Sequence, residues 1–409
     1  MSNLIFEIIL VLLITDFLFE RILEYLNSKS ISPELPPEAK GIYDEEKYRK
    51  MMEYQKVNFR FDFLTSSFSF ILMLAMLLSG GFALVDNWVR SYTENPILMA
   101  LLFFGIIGLA SGILSEPFSL YGTFVIEEKF GFNKTNFKTY VLDKIKGLIL
   151  SAIIGVPLLS LVIWFYQSAG ANFWIYVWIL LSFFMIFMAM FYTSLIVPLF
   201  NKLKPLGDGS LREAIEIYAN KNGFKLNNIF VIDGSKRSTK ANAYFSGLGR
   251  KKKIVLFDTL IEKHTENELV AVLAHEVGHY KKNHILFSIL LSILQTGVTL
   301  FIFSLVIDNP TLSKALSVQN PSFHIGAIVF GMLYAPVSFI LGIGMNILSR
   351  KNEFEADAFA KQTSDGEALK SALKKLSVDN LSNLTPHKAY VFFHYSHPPL
   401  LERLKMLSS

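Results

Sequence analysis

The stretch Leu273-Ala274-His275-Glu276-Val277-Gly278-His279-Tyr280-Lys281-Lys282-Asn283-His284 decides the fold, because the apolar run Ile285–Ile307 follows it without a linker. Its first half is an H-E-x-x-H sequence. Thr265 and Glu268 upstream have the spacing of a capping box, and Leu269, Val272, Leu273 and Val277 form a helical apolar stripe. The sequence therefore predicts a folded helix abutting a membrane span. Lys281, Lys282 and Asn283 separate the two, and Glu266 and Glu268 precede the motif, so it begins at the membrane surface rather than inside the bilayer.

Composition extends this reading to the whole chain. Of 409 residues, 52% are hydrophobic and only 18% are charged, against about 25% in a typical soluble domain. The mean hydropathy is +0.40. A crossing helix needs about 20 apolar residues. Seven runs qualify: Leu4–Leu26, Phe63–Val85, Ile97–Leu114, Gly147–Tyr166, Phe173–Leu199, Ile285–Ile307 and Ile325–Ser349. Six lack any Asp, Glu, Lys or Arg; the first carries Glu7, Asp16, Glu20, Arg21 and Glu24. It is not a signal peptide, because no basic residue precedes it and no small-residue cleavage site follows. Its acidic residues are expected to face protein or a water-filled space.

The 39 basic residues orient these runs. Counted between spans from the N-terminus, with Arg21 in the first loop, they number 0, 8, 1, 5, 0, 15, 1 and 9, so 37 fall on one side and 2 on the other. The positive-inside rule places the N-terminus outside and the C-terminus in the cytoplasm. The chain then divides into spans one to five (1–200), a cytoplasmic catalytic loop (201–284), spans six and seven (285–349) and a cytoplasmic tail (350–409). In the loop, Ser210–Asn222 reads as a helix, Asn228–Ile232 as a strand, and Asn242–Ser246 with Lys253–Phe257 as two strands around the turn Gly247–Lys252. The tail reads as a helix from Asn352 to Ser377. The net charge of +5 is an anchoring bias rather than a nucleic-acid footprint.

The chemistry is that of a metal. His275 and His279 are four apart, so both imidazoles leave one helix face and can share a zinc ion. The adjacent Glu276 can take a proton from a water that zinc has made acidic. Chance produces such a motif on the order of 0.01 times in a chain of this length. A catalytic zinc needs a third protein ligand, and the chain has no cysteine, so only nitrogen and oxygen ligands remain. Glu353 and Asp357, also four apart, share a face in the tail, where Glu353 can ligate while Asp357 orients a ligand histidine; Glu355 lies off that face. His284 falls off the ligand face at the mouth of span six, His324 lies on the outer side, and His264, His387 and His394 read as packing or surface residues.

Four motifs in order resemble one family, the type-1 CaaX prenyl proteases, which are integral-membrane zinc metalloendopeptidases. They are Thr123-Phe124-Val125-Ile126-Glu127-Glu128-Lys129-Phe130-Gly131-Phe132-Asn133-Lys134, the Leu273–His279 sequence, Asn352-Glu353-Phe354-Glu355-Ala356-Asp357-Ala358-Phe359-Ala360, and Tyr395-Ser396-His397-Pro398-Pro399-Leu400-Leu401-Glu402-Arg403-Leu404. The resemblance implies a mainly α-helical polytopic protein: seven helices enclosing a chamber, capped by a gluzincin-like domain with a small β-sheet. It implies one zinc on His275, His279 and Glu353, and gives Asp357 the role of orienting a ligand or passing a proton. It suggests that a strand holding Asn242, Ala243 and Tyr244 pairs with a peptide or protein substrate, prenylated or not. Asn242 can then donate to the scissile carbonyl, and either His397 or Arg403 can stabilise the oxyanion.

The cytoplasmic loop is shorter than in eukaryotic members, and Lys405–Ser409 shows no retrieval signal, so a bacterial cytoplasmic membrane is expected before the endoplasmic reticulum. A bacterial relative is expected to cut other membrane-associated polypeptides. A seven-span transporter or receptor without catalysis is the competing reading; it suits Asp16 and leaves both metal motifs unexplained.

Overall fold

The computed structural model describes residues 2–37, 40–223, 229–247 and 253–409. The chain opens with helix α1 (Ser2–Lys29), followed by α2 (Glu45–Leu78), α3 (Gly81–Arg90) and α4 (Pro96–Tyr121). A π-helical segment, Gly122–Glu127, extends α4. Next come α5 (Phe137–Ala169), α6 (Phe173–Leu195) and the single turn α7 (Val197–Phe200). A small α/β unit follows: β1 (Leu203–Pro205), α8 (Ser210–Lys221), β2 (Ile229–Ile232), β3 (Ala243–Ser246), β4 (Lys253–Phe257), α9 (Asp258–Lys263) and α10 (Glu266–Lys281). The chain then returns through α11 (His284–Val306), α12 (Pro310–Ala315) and α13 (Phe323–Thr363), and ends in α14 (Gly366–Asp379), α15 (Lys388–His394) and α16 (Leu400–Ser408).

Among the described residues, five segments are long and apolar enough to cross a membrane: Glu45–Leu78, Pro96–Glu127, Phe137–Phe200, His284–Val306 and Phe323–Thr363. Sequence reading expects seven runs, and the differences have physical causes. Helix α1 is not among them, because Asp16, Glu20, Arg21 and Glu24 interrupt its apolar run. Phe137–Phe200 holds both α5 and α6, separated at Gly170 (φ +53). The two helices pack on each other there, with Phe165 stacked on Tyr176 at 5.5 Å. Their exposed apolar residues, such as Ile153, Ile179 and Phe183, suit a lipid solvent.

Three boundaries differ from the sequence expectation. The run Phe63–Val85 is interrupted at Ser79–Gly80, where Gly80 adopts the left-handed conformation and α3 starts afresh. The seventh run does not end at Ser349, because α13 continues unbroken for 41 residues to Thr363. The tail helix expected to Ser377 breaks after Thr363, where Asp365 caps α14 by accepting from the Glu367 and Ala368 amides. The strand expected from Asn228 has its first residue outside the described ones, as do residues 248–252 of the expected turn.

The sheet has strand order β1-β2-β4-β3; β2 and β4 run parallel, and β3 pairs antiparallel with β4 in the register Ala243↔Leu256 to Ser246↔Lys253. β3 is therefore an edge strand, and Asn242 falls one residue before it. Beneath the sheet, Ile215 of α8, Ile254 and Leu256 of β4, Leu269, Leu273 and Val277 of α10, and Leu369 of α14 form one core. Fully burying such a side chain contributes about 1.5–3 kcal/mol. A second core joins α1, α3, α4, α12 and α13 at the other end of the molecule. There the buried Asp86 and His324 meet at 2.6 Å, with Arg90 on the other carboxylate oxygen at 2.7 Å.

Candidate metal centre and active site

Helix α10 starts with the expected capping box: the Thr265 side chain accepts from the Glu268 amide, and Glu268 accepts from the Thr265 amide. Glu268 is anchored further by Lys375 at 2.7 Å and Ser371 at 2.6 Å on α14. Burial opposes its charge, but Lys375, Ser371 and the Thr265 amide prevail and hold it at about 2. Gly278 lets α10 approach α13, since a β-carbon there would lie 3.0 Å from the Ala356 Cα and 3.1 Å from its carbonyl oxygen. That close contact brings the two sequence motifs face to face.

The Nε2 atoms of His275 and His279 lie 3.1 Å apart. Glu353 Oε1 is 3.2 Å from His279 Nε2, and its Oε2 is 3.5 Å from His275 Nε2. One donor atom from each of these residues lies within 4.8 Å of the others. Two ring nitrogens and a carboxylate pointing at one spot suit a divalent cation. Glu353 Oε2 is also buried without a hydrogen-bond partner among the described residues, as an atom reserved for a ligand would be. Burial works against charge on His275, but the hydrogen-bonded Asp357 and Glu353 carboxylates raise it to about 9, so the pocket attracts a proton where a cation would sit.

Each histidine is also held from behind. Asp357 is fully buried and lies 2.8 Å from His275 Nδ1. Arg403 donates to both Asp357 oxygens, at 2.8 and 2.6 Å, in the bidentate geometry that arginine favours. With an Asp357 oxygen accepting, Nδ1 of His275 keeps its proton, so a cation at the site would have to displace only the proton on Nε2. His279 Nδ1 meets His284 Nδ1 at 3.1 Å, and His284 Nε2 meets Glu355 Oε2 at 3.2 Å.

Sequence reading set His284 and Glu355 aside, because a straight helix puts His284 off the ligand face. Asn283 takes a left-handed conformation (φ 57), which ends α10 and turns His284 back onto His279. No spacing rule reveals that contact; the Asn before the apolar run was the available signal.

Glu276 lies beside the histidines and lines a cavity of about 450 Å³ together with Ala243, Tyr244, His397 and Arg403. Burial pushes its carboxyl up, His275 and His279 pull it down and Glu353 adds to the rise; the Phe245 amide of β3 hydrogen-bonds to it. His397 reaches Glu353 Oε1 through Nδ1 at 3.0 Å and keeps a side chain 65% exposed. Arg403, in contrast, is spent on Asp357 and lies 3.5 Å from Glu353 Oε2. Asn242 borders the same cavity, and its Oδ1 accepts from the Ala243 amide at 2.8 Å. Nine of the ten site residues expected from the sequence line this cavity, and the tenth, Asp357, is buried behind His275.

A helical membrane protein with this H-E-x-x-H helix, distal carboxylate and edge strand belongs to the integral-membrane metallopeptidases. Residues 24–202 match the family described as CAAX prenyl protease N-terminal, five membrane helices, and residues 205–409 match peptidase family M48. The chain belongs to peptidase family M48. It is 37% identical to the CAAX prenyl protease 1 homolog of Arabidopsis thaliana, over 98% of this chain and 97% of that protein. It is 34% identical to CAAX prenyl protease 1 of Saccharomyces cerevisiae, over 96% of this chain and 93% of that protein. The crystal structure of S. mikatae Ste24p superposes with a TM-score of 0.94 at 33% identity, covering 99% of both chains. The chain is thus an integral, multi-pass membrane peptidase acting on protein substrates, and the transporter reading has no support.

Proposed function

We propose that this peptidase uses one zinc ion, held by His275, His279 and Glu353, to remove the carboxyl-terminal tripeptide of prenylated proteins. The observation that carries the reading is the meeting of those three donors within 4.8 Å beside Glu276 and the edge strand β3. The names of the relatives supply the substrate class. A bound zinc supplies Lewis-acid polarisation of the scissile carbonyl and acidifies water.

The protein does the rest. The outer edge of β3, at Ala243 and Tyr244, takes the substrate backbone by strand addition, and the Asn242 side-chain amide donates to the scissile carbonyl. Glu276, raised by burial, accepts the proton of the attacking water and passes it to the leaving amine. His397 is exposed toward the cavity and stabilises the developing oxyanion. Asp357 orients His275, and Arg403 fixes Asp357, so Arg403 acts through position rather than on the substrate.

In the same proposal α1, α5 and α6 each cross the bilayer, making seven spans around a chamber, with 201–284 and 350–409 as its catalytic parts on the cytoplasmic face. The 37-to-2 partition of basic residues supports that orientation. The membrane is proposed to be a bacterial cytoplasmic one on the compactness of the loop, although the relatives named above are eukaryotic. The deciding experiment compares wild type and Glu276→Gln for metal content by mass spectrometry and for cleavage of a farnesylated CaaX peptide. Full zinc with lost cleavage is expected; retained cleavage sinks the mechanism.

A further inference from the structure

Three cavities meet in series at the site. The central one, of about 450 Å³, holds Glu276 and β3. On one side it shares His279 and Ile285 with a cavity of about 520 Å³ lined by Phe184, Met185 and Met188 of α6 and by Ile289 of α11. On the other it shares His397 and Arg403 with a cavity of about 630 Å³ lined by Ser377, Asn380 and Asn383. All three volumes fall in the ~300–1,000 Å³ range of ligand pockets. Their chemistry is opposite. The first flank is walled by aromatic and thioether side chains between two membrane-facing helices. The wall of the second holds Ser377, Asn380 and Asn383, whose Oγ, Oδ1 and Nδ2 atoms are covered by neighbouring atoms and have no hydrogen-bond partner among the described residues. Buried polar atoms of that kind call for a partner.

A prenylated CaaX terminus has the same polarity. Its lipid hangs on the cysteine at the amino side of the scissile bond, and its free carboxylate lies three residues to the carboxyl side. We propose that the substrate crosses Glu276 with its isoprenoid chain in the α6–α11 cavity and its terminal carboxylate among Ser377 and Asn383. The Ser377 hydroxyl and the Asn383 amide donate to that carboxylate, while Asn380 Oδ1 accepts a peptide N–H. Antiparallel pairing with β3 gives the same direction. β3 runs from Ala243 to Ser246, and the Ser246 hydroxyl accepts from Thr193 of α6 at 2.6 Å. A segment antiparallel to β3 therefore has its amino side, where the lipidated cysteine lies, at the α6 end.

This orientation rests on the prenyl-substrate reading, and the test separates the two. The full chain in nanodiscs is assayed with three peptides: farnesylated with a free carboxylate, farnesylated with a terminal amide, and unprenylated. Met188→Asp is expected to lower the kcat/KM ratio of farnesylated over unprenylated peptide at least tenfold. Asn383→Asp is expected to lower the ratio of free acid over amide by a similar factor. A farnesyl-linked photoreactive probe on wild type should label α6 or α11 and not α14, which settles the case if either variant fails to fold. Equal turnover of farnesylated and unprenylated peptides by wild type overturns the prenyl reading and the lipid site with it. A farnesyl preference that survives Met188→Asp, or labelling of α14, overturns the orientation alone.

Discussion

Arg403 grips Asp357 through two hydrogen bonds, of 2.6 and 2.8 Å, across the junction of the last helix and the longest one. Both side chains are largely withdrawn from solvent, and Asp357 also supports His275. Arg403→Ala strips the buried Asp357 carboxylate of its guanidinium partner and leaves it only His275, and breaking a buried pair in this way destabilises by about 3–5 kcal/mol. Thermal unfolding in detergent should show that loss, and a chelator titration should show weaker zinc retention. Arg403→Lys keeps the charge but not the fork, so it should recover only part of both.

Gly278 sets the distance between the two ligand-bearing helices. In Gly278→Ala the new methyl meets the Ala356 backbone at 3.0 Å, which a side-chain rotation cannot relieve. Overpacking of this kind costs about 1–3 kcal/mol. Because the displaced helix carries Glu353, zinc affinity should fall along with the melting temperature, and competition with a fluorescent zinc indicator reads it directly.

His284 stands behind His279 as Asp357 stands behind His275. Removing such a supporting group lowers metal affinity by about 10- to 100-fold. His284→Ala should show that loss in a chelator competition without a comparable drop in melting temperature. His284→Asn places an oxygen near the former Nδ1 and should restore much of the affinity. An unchanged zinc affinity in His284→Ala would remove His284 from the site.

Glu268 provides a pH dependence of known sign. Its folded value of about 2 lies below the ordinary value of about 4.3. The carboxylate therefore stabilises the fold fully above about 4.3 and loses that contribution as the pH falls toward 2. Wild type should melt higher than Glu268→Gln at pH 7, and the gap should close between about pH 4 and pH 2. A gap that persists at pH 2 would mean that shape, not charge, makes the difference.

Most of the site was legible because local periodicity encodes it. Four-residue spacings placed His275 with His279 and Glu353 with Asp357, and Thr265 with Glu268 announced the helix start. What periodicity does not encode is the contact between elements. The return of His284 onto His279 depends on one left-handed residue, Asn283, and the break at Ser79–Gly80 lies inside a run that is apolar throughout. Helix α1 falls outside the five apolar segments because Glu7, Asp16, Glu20 and Glu24 interrupt its apolar run.

The helix that carries Glu353 spans about 60 Å at 1.5 Å per residue, from a second core at one end to the metal donors at the other. One continuous helix, with Pro336 inside it, thus runs from an apolar core to the wall of the active site. Such a peptidase has no excisable soluble half: a fragment of residues 201–284 keeps two histidines and the general base but lacks the third donor, and so would be expected to be inert. Because the helix that carries Glu353 also holds an apolar span, changes in bilayer thickness should register as changes in metal affinity.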